Sequence, residues 1–309
     1  MRTALVGYTG FVGGNLAASN PFDAVYNSKN IVQAAGTQPD LLVYAGVPAA
    51  KFLANRDPQA DWQAVSQAFE NICSIAPKQL VLISTVDVYA CPQAVDENTP
   101  ADVEALGAYG RNRARLEQLV REAFPDSLIV RLPALLGKGL KKNFLYDFLH
   151  PAPSLLPEDK MEQLGREPLV AHSYQKAQDG FFRFAPQNEE DCKAVQEWFA
   201  SNSFNALKFT DSRSMYQFYD LSWLWKDITI ALAHKLHLVN LTAQPLLVSD
   251  IYKQLTGGKT FENALSAKPA HYDMRSIHAS LFGGENGYCY SKTDSMNAIR
   301  SFVTAFRKG

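Results

Sequence analysis

The sequence lacks the features that mark specialised classes of protein. It has no surplus of either charge: 30 Lys and Arg stand against 31 Asp and Glu, a formal net charge of -1 over 309 residues. Binding to nucleic acid or anionic lipid draws on clustered positive charge, so neither a nucleic acid nor a membrane is an expected partner. Cysteine is scarce. Cys73, Cys91, Cys192 and Cys289 lie far apart and none has C-x-x-C spacing. That excludes a zinc ribbon or a thioredoxin-type motif, and at this length it argues against a disulfide-stapled fold. Long apolar runs are missing too. The most apolar stretch, Leu41 to Ala50, is broken by Gly46 and Pro48 and falls far short of the ~20 residues that span a bilayer. Met1 to Gly7 holds no apolar stretch of signal-peptide length. The expected setting is therefore soluble, reducing and cytoplasmic. The histidines are scattered. His234 and His237 are close enough to share the face of an expected helix, but with no third ligand nearby no metal site is expected. There is no internal repeat.

What is present is ordinary globular material, 47% apolar and 20% charged, enough for one large or two modest domains. Short apolar runs recur at Ala4-Leu5-Val6, Ala24-Val25-Tyr26, Leu41-Leu42-Val43-Tyr44, Leu80-Val81-Leu82-Ile83 and Leu128-Ile129-Val130. Each reads as a strand covered on both faces. Helical patterns lie between them, over Phe11–Ser19, from Asp57-Pro58 onward, and from Leu106 to Phe124. Asp57 suits an N-cap and Pro58 the first helical position. Trp62, Val65, Ala68, Phe69 and Ile72 fall on one face of the second helix. Leu116, Leu119, Val120 and Ala123 do so on the third. Strand–helix alternation of this kind predicts an α/β fold, a Rossmann-type doubly wound parallel sheet with a smaller C-terminal substrate region. The rhythm breaks after Gly137. The expected division is a dinucleotide-binding domain over 1–137, a substrate region over 138–207 and 242–309, and a return to the sheet over 208–241. Leu236 to Leu241 is the expected returning strand, and Leu247 to Leu255 an expected helix.

Gly7-Tyr8-Thr9-Gly10-Phe11-Val12-Gly13 follows the first strand and opens the first helix. Glycine suits this turn because the chain bends tightly, the backbone must approach a pyrophosphate, and the helix packs close to the strand. The helix N-terminus then presents free N–H groups to the phosphates. Gly7, Gly10, Phe11, Val12 and Gly13 are the candidate cofactor contacts, joined by Ala45 and Gly46 after the third strand. After the second strand the chain reads Asn27-Ser28-Lys29, with no acid between Asp23 and Asp40. An acid there would grip the ribose of NAD. Lys29 with small polar neighbours suits a 2′-phosphate, but a solvated loop lysine reads equally well. NAD and NADP both stay open.

The fourth strand runs into Ser84-Thr85-Val86-Asp87-Val88-Tyr89, which puts hydroxyls at the carboxyl edge of the sheet. Tyr109 and Arg113 are four apart and neighbour each other on a helix. With the glycine turn and Arg131-Leu132-Pro133 followed by Gly137, these motifs resemble the extended short-chain dehydrogenase/reductase superfamily. Its members include NAD-dependent epimerases and dehydratases of nucleotide sugars. The resemblance covers about residues 1–140. It implies that Tyr109 is the acid/base, that Thr85 is the hydroxyl anchoring the substrate oxygen, and that Arg113 stands where the Tyr-x3-Lys motif has lysine.

A tyrosine of ordinary pKa near 10 is a poor base at neutral pH. Moving it by about three units takes some 4 kcal/mol of differential stabilisation. A fixed cation one turn away, with the nicotinamide charge, supplies it. Arginine keeps the charge but not the shape of lysine. Arg113 therefore reads as a substitute, as a residue in whose place Arg111 or Arg115 contributes, or as the mark of a weakly catalytic protein. The family's dehydratases carry Thr-Asp-Glu at the strand end. Thr85-Val86-Asp87 lacks the first acid, which disfavours a 4,6-dehydratase. Asp87 then faces the substrate or caps the following loop.

By the same resemblance, substrate contacts come from the C-terminal part. Arginine suits a diphosphate because its fork binds two oxygens. Arg213 and Arg275 are the candidates, with Asn143 beyond the Gly137 loop. The implied function is an NAD(P)-dependent epimerase or reductase of a nucleotide sugar, and the family's habits imply a homodimer. A non-catalytic dinucleotide sensor and a reductase of a small carbonyl metabolite are the alternatives.

Overall fold

The apolar runs of the first half line up as neighbouring strands in a computed structural model, which describes residues 1–177 and 179–308. They are β1 (Thr3–Val6), β2 (Ala24–Tyr26), β3 (Leu41–Tyr44), β4 (Gln79–Thr85) and the Leu128–Leu132 strand. The expected returning strand forms over Leu238–Asn240. The order across the sheet is Leu238–Asn240, Leu128–Leu132, β4, β3, β1, β2, and every pair is parallel. The fold is α/β and Rossmann-like. The chain moves one way from β1 to β2 and the other way to β3, so the direction switches beside β1, where such sheets bind ligands.

Residues of one strand go to opposite faces. Leu41 and Val43 join a core with Leu16, Leu224 and Ile228, whereas Leu42 and Tyr44 join Val65, Ile72, Leu116 and Val120. Both faces are thus apolar, which is why the strands read as unbroken hydrophobic runs. Each fully buried aliphatic side chain contributes about 1.5–3 kcal/mol.

The helices are α1 (Phe11–Ser19), α2 (Lys51–Arg56), α3 (Pro58–Ile75) and α4 (Ala108–Ala123). The Asp57 carboxylate accepts the Ala60 N–H at 3.0 Å, which makes it the cap expected of α3. The apolar face of α4 differs from expectation at its end. Ala123 is exposed and Phe124 packs on the core instead. The buried stripe also carries Asn112, Arg113 and Glu117. Glu117 is fully buried and accepts from Ser84 Oγ at 2.6 Å and from Arg131 Nε and Nη2 at 3.0 and 2.6 Å. Arg131 also donates to the Tyr89 hydroxyl at 2.7 Å. Ser84 and Arg131 are therefore spent on a closed buried network.

His234 and His237 do not share a helix. The Leu224–Ala233 helix ends before them, and His237 leads into the Leu238–Asn240 strand. No cluster of three or more His, Cys, Asp or Glu able to hold a metal occurs among the described residues. No helix among them is long and apolar enough to cross a membrane.

The chain divides into two compact units. The first comprises Met1–Leu140, Met215–Leu246 and His271–Gly309, and the second comprises Lys141–Ser214 and Leu247–Ala270. The division expected from sequence gave all of 242–309 to the substrate region. In the structure the last part joins the sheet unit, for two reasons. The Lys292–Lys308 helix buries Met296, Ile299 and Val303, and its Ser295 Oγ donates to the Phe218 carbonyl at 2.9 Å. The Asp273–Met274 strand pairs with Gln93–Val95. The second unit has its own core of Leu156, Val170, Tyr174, Val195 and Phe199, beside an antiparallel sheet ordered Leu155–Leu156, Phe182–Phe184, Tyr174–Lys176. Phe261 packs against Phe144 with ring centroids 6.3 Å apart, which joins that unit's two segments.

Candidate active site

The ends of β1, β2 and β3 meet at the first glycine turn. Gly7 has φ +94°, and its N–H donates to the Tyr26 carbonyl at the end of β2 at 2.7 Å. Ala45 N–H, just past β3, donates to the Val6 carbonyl at 2.9 Å. A Cβ on Gly7 would stand 2.5 Å from Ala45 O, and one on Gly13 would stand 2.2 Å from Gly7 O. Side chains at these positions would fill the turn, so only glycine keeps it open. Gly10 caps α1 without a side-chain bond, so the amides of Phe11, Val12 and Gly13 begin the helix with no side chain across them. This cradle fits a dinucleotide pyrophosphate. Gly46 lies beside it, with no room for a side chain against Val6 and Tyr44.

Beyond β2, Asn30 Oδ1 accepts the Asn27 N–H at 2.7 Å, and Asn27 Oδ1 accepts the Lys29 N–H at 2.9 Å. This fixes the loop and leaves Ser28 and Lys29 exposed. Asp23 is engaged at the start of β1, accepting the Thr3 N–H at 2.7 Å, so it supplies no ribose ligand here.

The second half of the site is built at the end of β4. Thr85 Oγ1 accepts the Asp87 N–H at 3.1 Å and caps the short turn Val86–Val88. The alternative in which the Asp87 carboxylate caps the following loop is not what forms, because that carboxylate is turned to Lys51 and accepts from its Nζ at 2.7 Å. The first turn of α4 rests on this corner, where a Cβ on Gly110 would stand 2.2 Å from Asp87 O. Tyr109 is thereby brought to Thr85 and Asp87, and it is buried.

Burial pushes the Tyr109 phenol above its ordinary value. Arg113 and Lys51 as cations, and the Thr85 hydroxyl as a hydrogen-bonding partner, pull it back down, while Asp87 pushes it up. Desolvation outweighs the cations, so the resting tyrosine holds its proton.

Arg113 lies over the Tyr109 ring, with its guanidinium carbon 4.1 Å from the ring centroid. It donates to Asp61 Oδ2 and to the Pro48 carbonyl, and it is 4% exposed. Its buried Nε has no hydrogen-bond partner, a cost of about 1–3 kcal/mol. Arg111 and Arg115 do not share its place. Arg111 donates to the Leu106 carbonyl at 2.9 Å, and Arg115 lies over the Trp62 ring.

The model of the RmlD substrate binding domain matches residues 4–156. The chain belongs to the extended short-chain dehydrogenase/reductase superfamily. No curated protein matches the sequence. Among solved structures of similar fold is the dTDP-4-dehydrorhamnose reductase of Bacillus anthracis in complex with NADP. It is 16% identical with a TM-score of 0.63, and 98% of each chain is covered. A UDP-galactose 4-epimerase is 14% identical with a TM-score of 0.62, covering 100% of this chain and 99% of that one. The Bordetella bronchiseptica enzyme WbmG, in complex with NAD and UDP, is 12% identical with a TM-score of 0.63, covering 99% and 94%.

The expected substrate residues are engaged within the chain. The Arg275 fork faces Asp273 (Nη2 to Oδ2 3.1 Å), and Asp273 also accepts from the Tyr288 hydroxyl. The Arg213 fork is closed on Asp211 at 2.9 and 2.6 Å. Asn143 caps the Phe144–Leu149 helix, with Oδ1 accepting the N–H groups of Leu145 and Tyr146. Arg213 and Asn143 belong to the second unit, whereas Asp87 and Arg275 belong to the first.

Sequence reading missed Lys51, Asn55 and Asp61. Asn55 Oδ1 accepts the Tyr109 N–H at 3.0 Å, and Asp61 accepts from both Asn112 and Arg113. The one available signal was the polar pair Asn112 and Arg113 inside the expected core face of α4, because a buried charge demands a partner.

Proposed function

We propose that this protein is an NAD(P)-dependent oxidoreductase of the reductase or epimerase type, acting on a hydroxyl or keto group of a nucleotide sugar. The observation that carries the reading is Tyr109 set against Thr85 at the end of β4, in the same unit as the glycine cradle. Gly7, Gly10, Phe11, Val12, Gly13, Ala45 and Gly46 hold the dinucleotide, with Asn27, Ser28 and Lys29 toward its adenosine end. When bound, the nicotinamide supplies hydride transfer. Thr85 donates a hydrogen bond to the substrate oxygen and orients it. Tyr109 moves the proton at that same oxygen.

Burial keeps Tyr109 protonated, which suits a group that gives a proton to a developing alkoxide, so the reductive direction fits the resting site best. The direct test offers NADH or NADPH with 4-keto nucleotide sugars and follows loss of reduced nicotinamide. Absence of turnover with every sugar, or an unchanged rate in Tyr109→Phe, sinks the reading in favour of a non-catalytic dinucleotide-binding protein.

One observation favours a smaller carbonyl substrate. Both candidate diphosphate arginines already face carboxylates, Arg213 on Asp211 and Arg275 on Asp273. On that reading Arg213→Ala and Arg275→Ala leave KM unchanged. On the nucleotide-sugar reading at least one raises it.

A further inference from the structure

We propose that Lys51 is a positioning residue for Tyr109, bringing from α2 the compact ammonium that α4 lacks. The inference deepens the reading above and rests on it for its catalytic meaning.

Three relationships carry it. The first is what Arg113 cannot do. Its guanidinium is over the ring, paired with Asp61 and bound to the Pro48 carbonyl. A buried group held on three sides has no freedom to follow a phenol oxygen or a ligand hydroxyl, whereas a half-exposed cation does.

The second is the anchoring of α2. Asn55 and Lys51 are four residues apart on this helix and share a face. Asn55 accepts the N–H of Tyr109 itself. The helix that carries Lys51 is therefore tied to the first turn of α4 at the residue it serves.

The third is the position of Asp87. Its backbone touches α4 at Gly110, and its carboxylate is 2.7 Å from Lys51 Nζ. Left alone, a carboxylate at this corner would oppose any negative charge on the phenol. Lys51 cancels it, and with its side chain 50% exposed it faces the solvent side of the site.

The ionisable groups around this corner are Arg113 on α4, with Asp61 of α3 behind it, Asp87 on the 86–88 turn, Lys51 on α2, and Tyr272 ahead of the Asp273–Met274 strand. Lys51 feels Asp87, Tyr272 and Tyr109 as neighbours. Tyr272 has Lys51 as a hydrogen-bonding partner. Lys51 and Asp87 thus act on Tyr109 as a pair of opposite sign.

The test titrates Tyr109 in protein labelled with carbon-13 at tyrosine Cζ, its resonance assigned by its loss in Tyr109→Phe. Lys51→Met removes a cation and frees Asp87, so the midpoint rises by about a unit. Asp87→Asn lowers it, and the double variant returns toward the parent. Lys51→Arg, which keeps the charge, stays near the parent. Circular dichroism checks that each variant is folded. In turnover assays the limb of the pH profile that belongs to Tyr109 follows the same shifts. A Tyr109 midpoint unmoved in Lys51→Met overturns the proposal, as does Lys51→Arg behaving like Lys51→Met. If the midpoints move as stated but the parent turns over no sugar, the proposed function fails while the role of Lys51 in setting the Tyr109 charge stands.

Discussion

The carbonyl oxygen of Asp87 occupies the place beside Gly110 where a side chain would begin, 2.2 Å from a Cβ built there. Backbone meets backbone at this point, and the contact sets Tyr109 beside Thr85. Gly110→Ala must push the start of α4 off the 86–88 turn. The expected cost is about 1–3 kcal/mol of stability, as for other overpacked sites. Turnover should fall further than stability does. Urea unfolding beside kinetics on the same preparation measures both.

Tyr109→Phe removes only the hydroxyl. Dinucleotide affinity should stay within about twofold, while kcat falls on the order of 10²–10⁴. Fluorescence titration with reduced dinucleotide separates binding from chemistry. A Tyr109→Phe variant that turns over at the parent rate would remove Tyr109 from the mechanism.

Asp61 is the only carboxylate bound to Arg113 among the described residues, and both side chains are nearly inaccessible. Asp61→Ala strands a buried guanidinium and also deprives Asn112 of its acceptor. A loss of about 3–5 kcal/mol follows. The check is the denaturant midpoint, and a loss below about 1 kcal/mol would show that Arg113 does not depend on this partner.

Gly13→Ala places a methyl 2.2 Å from Gly7 O, inside the turn proposed to cradle the pyrophosphate. Dinucleotide affinity should drop at least tenfold. Isothermal titration reads the loss directly. Retention of affinity would move the cofactor site elsewhere.

Asp147 gives a pH prediction in the second unit. Burial pushes its carboxyl up to about 7 from an ordinary 3.8. A raised carboxyl pKa means the folded state holds a proton that the unfolded state has released. Stability therefore falls as pH rises from about 4 to 7, and the loss is complete above 7. Asp147→Asn should raise Tm relative to the parent at pH 8 and leave little difference at pH 4. Equal gains at both pH values would count against a protonated Asp147.

Much of the fold was legible in the sequence, because it depends on local pattern. Strands buried on both faces must be continuously apolar, and Leu41–Tyr44 and Leu128–Leu132 show it. A turn pressed this closely against neighbouring backbone must be glycine, and Gly7 and Gly13 show it through the carbonyl oxygens they leave uncrowded. The N-cap of α3 was legible for the same reason, since Asp57 and Pro58 act within one turn. The partition near the C-terminus was not, because whether residues 271–309 return to the sheet depends on what Met296 and Val303 find to cover.

Tyr109, Thr85 and Arg113 could be named because their motifs resemble those of the superfamily. Their arrangement could not. The sequence by itself determined a parallel sheet, a glycine turn and hydroxyls at the carboxyl edge of that sheet, since periodicity and backbone sterics act over a few residues. Tertiary structure alone decided that Arg113 is consumed by Asp61, that Arg275 faces Asp273, and that Lys51 meets Asp87. Charges far apart in sequence become neighbours only when helices pack. Which of them stay available is settled by burial and by the partner each one reaches.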